Sequence, residues 1–262
     1  MSGDLSVTAL YTSQVWAWGG LPDADLLATP DGKRVFDVTN AALGLARIVR
    51  PDMPALRFAL LHRHAMIDHL LAETAGSVVE LAAGLSRRGA ANCAARTYTE
   101  VDLPPVIAKK RELLARSARG REVLERLTLV AGDVTTDEVP AADVIIAEGL
   151  LMYLDGDARR RLFSKLAALT PHFLFDLVPV DEEPPPGRVG ALLERAMKRF
   201  TGGRSFERDA RTRDQLVAEL HAAGFTDVKA YAAADVARAW QLPHPEKPTT
   251  MIVFSASRAT RG

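Results

Sequence analysis

The sequence predicts an α/β protein built on a doubly wound, mostly parallel sheet, and three observations carry that prediction. From about Ala75 onward, short apolar runs rich in β-branched residues alternate with longer segments of helical period. Such alternation means strands joined by helical crossovers, which places helices on both faces of a parallel sheet. The length of 262 residues and the 48% apolar content supply one sizeable core, suiting a large domain with an attached subdomain better than two independent units.

Taken in order, residues before Ala75 read as helical: VTNAALGLARIVR, then a long helix in MPALRFALLHRHAMIDHLLAETA. The strand runs are SVVEL (77–81), TYTEVDL (97–103), LTLVAG (127–132), ADVIIAE (142–148) and HFLFDLVP (172–179). In GDARRRLFSKLAALT, Leu162, Phe163, Leu166 and Leu169 share one helix face, with Asp155 or Asp157 as N-cap. Three consecutive prolines in VDEEPPPG (180–187) send the chain out of the sheet. RVGALLERAMKRF then reads as an inserted amphipathic helix, followed by a glycine hinge at Gly202 and Gly203. Thr212 and Gln215 stand at capping-box spacing, and Gly224 closes that helix. TDVKAYAA and TTMIVFSAS are two last strands, resembling an edge hairpin more than another crossover. We divide the chain into a helical cap, 1–75, and a sheet domain, 76–262, with 181–210 an inserted lid.

Composition narrows the function. Thirty-three Lys and Arg balance thirty-three Asp and Glu, which argues against a chain built to bind nucleic acid. Cys93 is the only cysteine, so no internal disulfide or cysteine-based zinc site is expected, nor any other metal. The N-terminal residues lack the pattern of a signal peptide, and no run has the length of a membrane span. A soluble cytoplasmic protein is the expectation.

In an open parallel sheet, ligands bind beyond the carboxyl ends of the strands. The first run ends in Glu80-Leu81-Ala82-Ala83-Gly84-Leu85-Ser86, an acid followed by small residues at alternate positions. Such a turn lets backbone approach a ligand, but it lacks the G-x-G-x-x-G of a dinucleotide site and serves equally as a plain strand-to-helix turn. Asp102 ends the second run about twenty residues further on, where a carboxylate can hold ribose hydroxyls. Asp133 and Glu148 end the third and fourth. Each acid alone could be a helix cap. Together they suit a cationic ligand rich in hydroxyl and amine donors and without phosphate, and S-adenosylmethionine has that chemistry.

The strings VVELAAGLSRRG, YTEVDLPPVIAKKRELL, LVAGDV and IIAEGLLMYLD resemble, in order and spacing, the class I S-adenosylmethionine-dependent methyltransferases of the leucine carboxyl methyltransferase type, particularly its bacterial branch of polyketide carboxyl O-methyltransferases of the tetracenomycin kind. The resemblance runs from about Val7 to the last strand, and EVDLP-x-VI-x-KK and AEGLLMYL are its specific parts. It departs where ELAAGLS replaces E-x-G-x-G-x-G, although Ala82 is small. It implies a Rossmann-like methyltransferase sheet of seven strands with an antiparallel last strand, and S-adenosylmethionine as cofactor, with S-adenosylhomocysteine as product. By the same resemblance Glu80, Ala82 and Gly84 form the turn beside the methionine part, Asp102 holds the ribose and Asp133 with Val134 lies along the adenine. Glu148 faces the cofactor's amino group, and Arg63 pairs with its carboxylate.

For the substrate, a carboxylate acceptor needs no base, whereas a phenol does. His64, beside Arg63, is the histidine to watch, and a purely structural role is the competing reading. Tyr11 and Trp16 either staple the N-terminal segment down or cover a flat aromatic substrate. Tyr153 follows the fourth strand, where members of the family line the substrate pocket. Arg199, Arg204 and Arg208 of the inserted segment either meet an anionic substrate or form a solvated face. The expected function is esterification of a carboxylate on a small, anionic, aromatic metabolite. A phenol or protein C-terminal acceptor, or a non-catalytic S-adenosylmethionine-binding protein, are the alternatives.

Overall fold

The structure is a computed structural model, and it describes residues 7–49, 55–182, 211–247 and 249–258. The chain opens with helices α1 (Val7–Trp18), α2 (Pro30–Val49) and α3 (Leu56–Ala72). Then follow β1 (Val78–Leu81), α4 (Arg88–Asn92), β2 (Tyr98–Asp102), α5 (Pro104–Leu114), α6 (Ala118–Leu124), β3 (Leu127–Ala131) and β4 (Val144–Ala147). The remainder is α7 (Gly156–Leu169), β5 (His172–Asp176), α8 (Arg213–Ala223), β6 (Asp227–Ala232), α9 (Ala233–Val236) and β7 (Ile252–Ser257).

The described residues form one seven-stranded sheet of order β3-β2-β1-β4-β5-β7-β6. Its pairs are parallel except those of β7, which runs antiparallel to both β5 and β6. Every residue of β1 and β4 is buried because helices cover both faces; β4 is an unbroken apolar run, and β1 is broken only by Glu80. On one face Val79, Ile145, Phe173 and Phe254 pack against Phe163 and Leu166 of α7 and Leu216 of α8. On the other, Val78, Ile146, Leu174 and Val253 pack with Met66, Ile67 and Leu70 of α3 and Ile107 of α5. Helix α3 therefore belongs to the core of the sheet. Helices α1 and α2 close a smaller cluster of their own around Tyr11, Val15, Trp16, Phe36 and Leu61.

The local signals act as the side-chain chemistry dictates. Asp155 caps α7 by accepting from the Ala158 N–H at 2.7 Å. Thr212 and Gln215 exchange bonds across the first turn of α8, and Gly224 ends that helix at φ 114°. The last two strands pair as an edge hairpin, as expected, with β6 at the edge and β7 inside, between β5 and β6. The crossover through α8 carries β6 one place beyond β5, and β7 fills the gap. Burial agrees, since Ile252, Val253, Phe254 and Ala256 are buried whereas no β6 residue is.

The helix expected at 188–200, the hinge at Gly202 and Gly203, and the lid beyond Glu182 lie outside the described residues. No helix among the described residues is long and apolar enough to cross a membrane.

Candidate cofactor and active site

Parallel strands put the ends of β1, β2, β3 and β4 along one edge, with β5 beside them. At the end of β1 the backbone turns sharply, with Ala82 at φ 49° and Gly84 at φ 54°. The left-handed region is free to glycine but costs another L-residue roughly 1–2 kcal/mol. Size was thus only half of the question at Ala82, because its backbone conformation makes the greater demand. The turn is tied to β2 through Asp102, whose Oδ2 accepts from the Gly84 N–H at 2.6 Å and whose Oδ1 accepts from the Leu103 N–H at 2.7 Å. After β3, Asp133 folds its own loop: Oδ1 accepts from the Thr135 N–H at 2.9 Å and from its hydroxyl at 2.6 Å. Val134 beside it is buried.

The end of β4 belongs to a buried network that motif spacing does not reveal. Arg88, fully buried at the start of α4, donates from Nε to Asp68 (2.6 Å), from Nη1 to Glu80 (2.5 Å) and from Nη2 to Glu148 (2.7 Å). Tyr98 gives Glu80 a further bond at 2.7 Å. Arg63, in α3, donates from Nε to Glu148 at 3.0 Å and from Nη1 to Asp176 at 3.2 Å. Asp176, the last residue of β5, also accepts from the Gly149 N–H at 2.5 Å. Despite burial, His64, Arg63 and Arg88 hold the Glu148 carboxyl well below the ordinary carboxylate range. Burial raises Asp176 against the pull of Arg63.

His64 is fully buried, and burial followed by the charge on Arg88 lowers its imidazole to about 3, so it is neutral at physiological pH. We assign the proton to Nδ1, which donates to Glu148 at 2.8 Å, because both Arg88 Nη2 and Glu148 lie beside that nitrogen and only the carboxylate can accept. The Trp16 ring lies on the imidazole at 4.3 Å. Tyr11 is held inside the helical cluster, stacked on Phe36 with its hydroxyl donating to Asn40. Tyr153 stands within electrostatic reach of Arg63. Arg204, Arg199 and Arg208 lie outside the described residues.

The structure thus joins Arg63, His64, Glu80 and Glu148 in one network and Ala82, Gly84 and Asp102 in one turn, with Asp133 and Val134 on the next loop. Sequence reasoning missed Arg88, Asp68 and Asp176. Asp176 had a visible signal as a fifth acid at a strand end. Arg88 had a fainter one, a basic residue opening a helix of otherwise small side chains, RGAAN.

The fold is that of class I methyltransferases. The leucine carboxyl methyltransferase family matches residues 22–167, more than half of the chain, and the chain belongs to this family, whose cofactor is S-adenosylmethionine. Among solved structures, the apo S-adenosylmethionine-dependent methyltransferase SibL is 20% identical over 77% of this chain and 56% of its own, with a TM-score of 0.54. The mitomycin 7-O-methyltransferase MmcR is 18% identical over 94% of this chain and 60% of its own, also at 0.54. The glycopeptide N-methyltransferase MtfA bound to S-adenosylmethionine is 20% identical over 74% and 86%, at 0.51. The chain spans less than two thirds of the length of SibL and MmcR. No curated protein matches it.

Proposed function

We propose that the protein is an O-methyltransferase that esterifies a carboxylate of a small, anionic, aromatic metabolite of polyketide type, at the strand-end site described above. The bound cofactor supplies an electrophilic methyl group on a sulfonium. The residues present fit that ligand. A guanidinium has five N–H donors, of which Arg63 gives one to Glu148 and one to Asp176, leaving three for a carboxylate. Asp102 presents a carboxylate at the end of β2, the chemistry a ribose diol requires, and Asp133 with Val134 offers a polar and an apolar flank to an adenine. Glu148 keeps a lone pair on Oε1 for an ammonium, and the turn at Ala82 and Gly84 carries little side chain to keep a ligand away. Arg63 is held rigidly by two buried acids, which orients it before a ligand arrives.

One observation supports a carboxylate acceptor above the others: the neutral His64 has its Nδ1–H engaged by Glu148 and its pKa far below that of a useful base. A carboxylate, with an ordinary pKa of about 4, reacts without deprotonation. Trp16 covers the network and Tyr153 borders it, a pairing suited to an aromatic acceptor. The test is chemical. Methyl groups transferred from labelled cofactor to metabolite extract should be released as volatile methanol in mild alkali, and His64→Ala should keep most of the activity. Alkali-stable label would refute the carboxylate reading in favour of a phenol or hydroxyl acceptor.

A further inference from the structure

Beneath the turn lies a buried ion pair that the reaction does not use. Lys110, of the KK pair in α5, and Glu100, in the middle of β2, are both fully buried and paired with each other. Lys110 Nζ also donates to the Ser86 carbonyl at 2.7 Å, the last residue of the cofactor turn. Glu100 reaches this position because residue 89 is glycine: a Cβ there would collide with its Oε1. Ser86 is fixed further by its N–H to the Ala83 carbonyl at 2.8 Å, and its Oγ accepts from the Arg88 N–H at 3.2 Å.

Such a pair is a poor way to stabilise a fold. Removing two charges from water costs more than their attraction commonly returns, and apolar replacements of similar volume are often neutral or stabilising. Burial indeed lifts the Glu100 carboxyl to about 7 even with Lys110 alongside. What the pair provides is a fixed donor under a specific carbonyl. The turn needs one, because Ala82 sits at φ 49°, and a residue in that region stays there only when its surroundings over-determine the backbone.

We propose that Lys110, tethered by Glu100, is a positioning residue for cofactor binding: it props the 82–86 turn from below and so permits an alanine where the backbone favours glycine. This rests on reading that turn as part of the cofactor site. Lys110 is then energetically coupled to Ala82, four positions before the Ser86 carbonyl that it holds. A glycine at 82 relaxes the turn without support, so the prop matters less in that background.

The experiment is calorimetric titration with S-adenosylhomocysteine, alongside thermal melts, of four proteins: wild type, Ala82→Gly, the double variant Glu100→Leu/Lys110→Met, and the triple variant combining them. The double variant should melt at or above the wild-type temperature yet bind at least tenfold more weakly, a split that a merely structural pair would not give. Adding Ala82→Gly should restore affinity to within about threefold of Ala82→Gly alone. A wild type that fails to bind S-adenosylhomocysteine removes the cofactor-site reading and this proposal with it. A wild type that binds, with a folded double variant of equal affinity or a triple variant without recovery, overturns the proposal and leaves the cofactor site standing. Should the double variant not fold, Gly89→Ala displaces Glu100 with Lys110 intact. It should weaken binding in the same way, and unchanged affinity in Gly89→Ala would equally overturn the proposal.

Discussion

Replacing Arg88 by methionine tests whether the buried network is what holds the site together. The guanidinium contacts three carboxylates, of which Glu80 and Glu148 have side chains only 1% and 6% exposed. Methionine fills much of the same volume but leaves two buried acids without their common partner. Removing one member of a buried ion pair costs roughly 3–5 kcal/mol. For a chain of this size each kcal/mol lowers the melting temperature by about 2–4 °C, so a fall of roughly 6–20 °C is expected. The loss has a pH signature. Without Arg88 the folded-state pKa of Glu148 rises, the folded variant takes up protons more readily than the folded wild type, and the deficit should shrink as pH falls from 8 towards 5. Denaturant unfolding of both proteins at pH 8 and pH 5 measures it. A deficit below about 1 kcal/mol at pH 8, or one that grows on acidification, would refute the network as drawn.

Further outcomes follow from the same geometry. Ala82→Gly relieves roughly 1–2 kcal/mol of left-handed strain but adds about 0.4–1 kcal/mol of unfolded-state entropy, so urea unfolding should show a net gain of about 0–1.6 kcal/mol, and a loss would mean the turn is not strained. Burial lowers the His64 imidazole from 6.5 to about 3, so the unfolded chain binds a proton the folded one refuses; the contribution is complete above pH 6.5 and is lost as pH falls through the interval to about 3. At about 1.4 kcal/mol per pH unit, His64→Gln should lose about 2 kcal/mol less than the wild type between pH 7 and pH 5, and parallel stability curves would contradict a buried neutral His64.

Much of the fold was legible because central parallel strands are buried on both faces. VIIA stands out as an uninterrupted apolar run and VVEL as one broken only by Glu80, and the helix starts at Asp155 and Thr212 and the stop at Gly224 are local chemistry that needs no tertiary information. The place of β7 was harder. Its inside position is written in its greater burial, which shows as MIVFSA against the polar alternation of DVKAYA, but hairpin spacing alone gives no order. At the site, the strand-end acids were legible because topology sends every strand end to one edge. Their partners were not. Arg88 meets Glu148 across 60 positions, His64 meets it across 84 and Arg63 meets Asp176 across 113, separations that no local pattern encodes. Arg88, unread in the sequence, and Arg63 are therefore the buried cations that turn a row of acids into an ordered site. Ala82 shows a different limit, since residue type reveals size but not the sign of φ.

The central claim is that Arg63 and Asp102 hold opposite ends of one S-adenosylmethionine molecule. Calorimetric titration of wild type, Arg63→Ala and Asp102→Ala with S-adenosylmethionine, and with NAD as the control ligand, tests it most directly. Each substitution removes charged hydrogen bonds worth on the order of 1.5–3 kcal/mol, so each folded variant should bind at least tenfold more weakly than the wild type, and NAD should not bind. Wild-type affinity in both folded variants, or NAD binding without S-adenosylmethionine binding, would contradict the account.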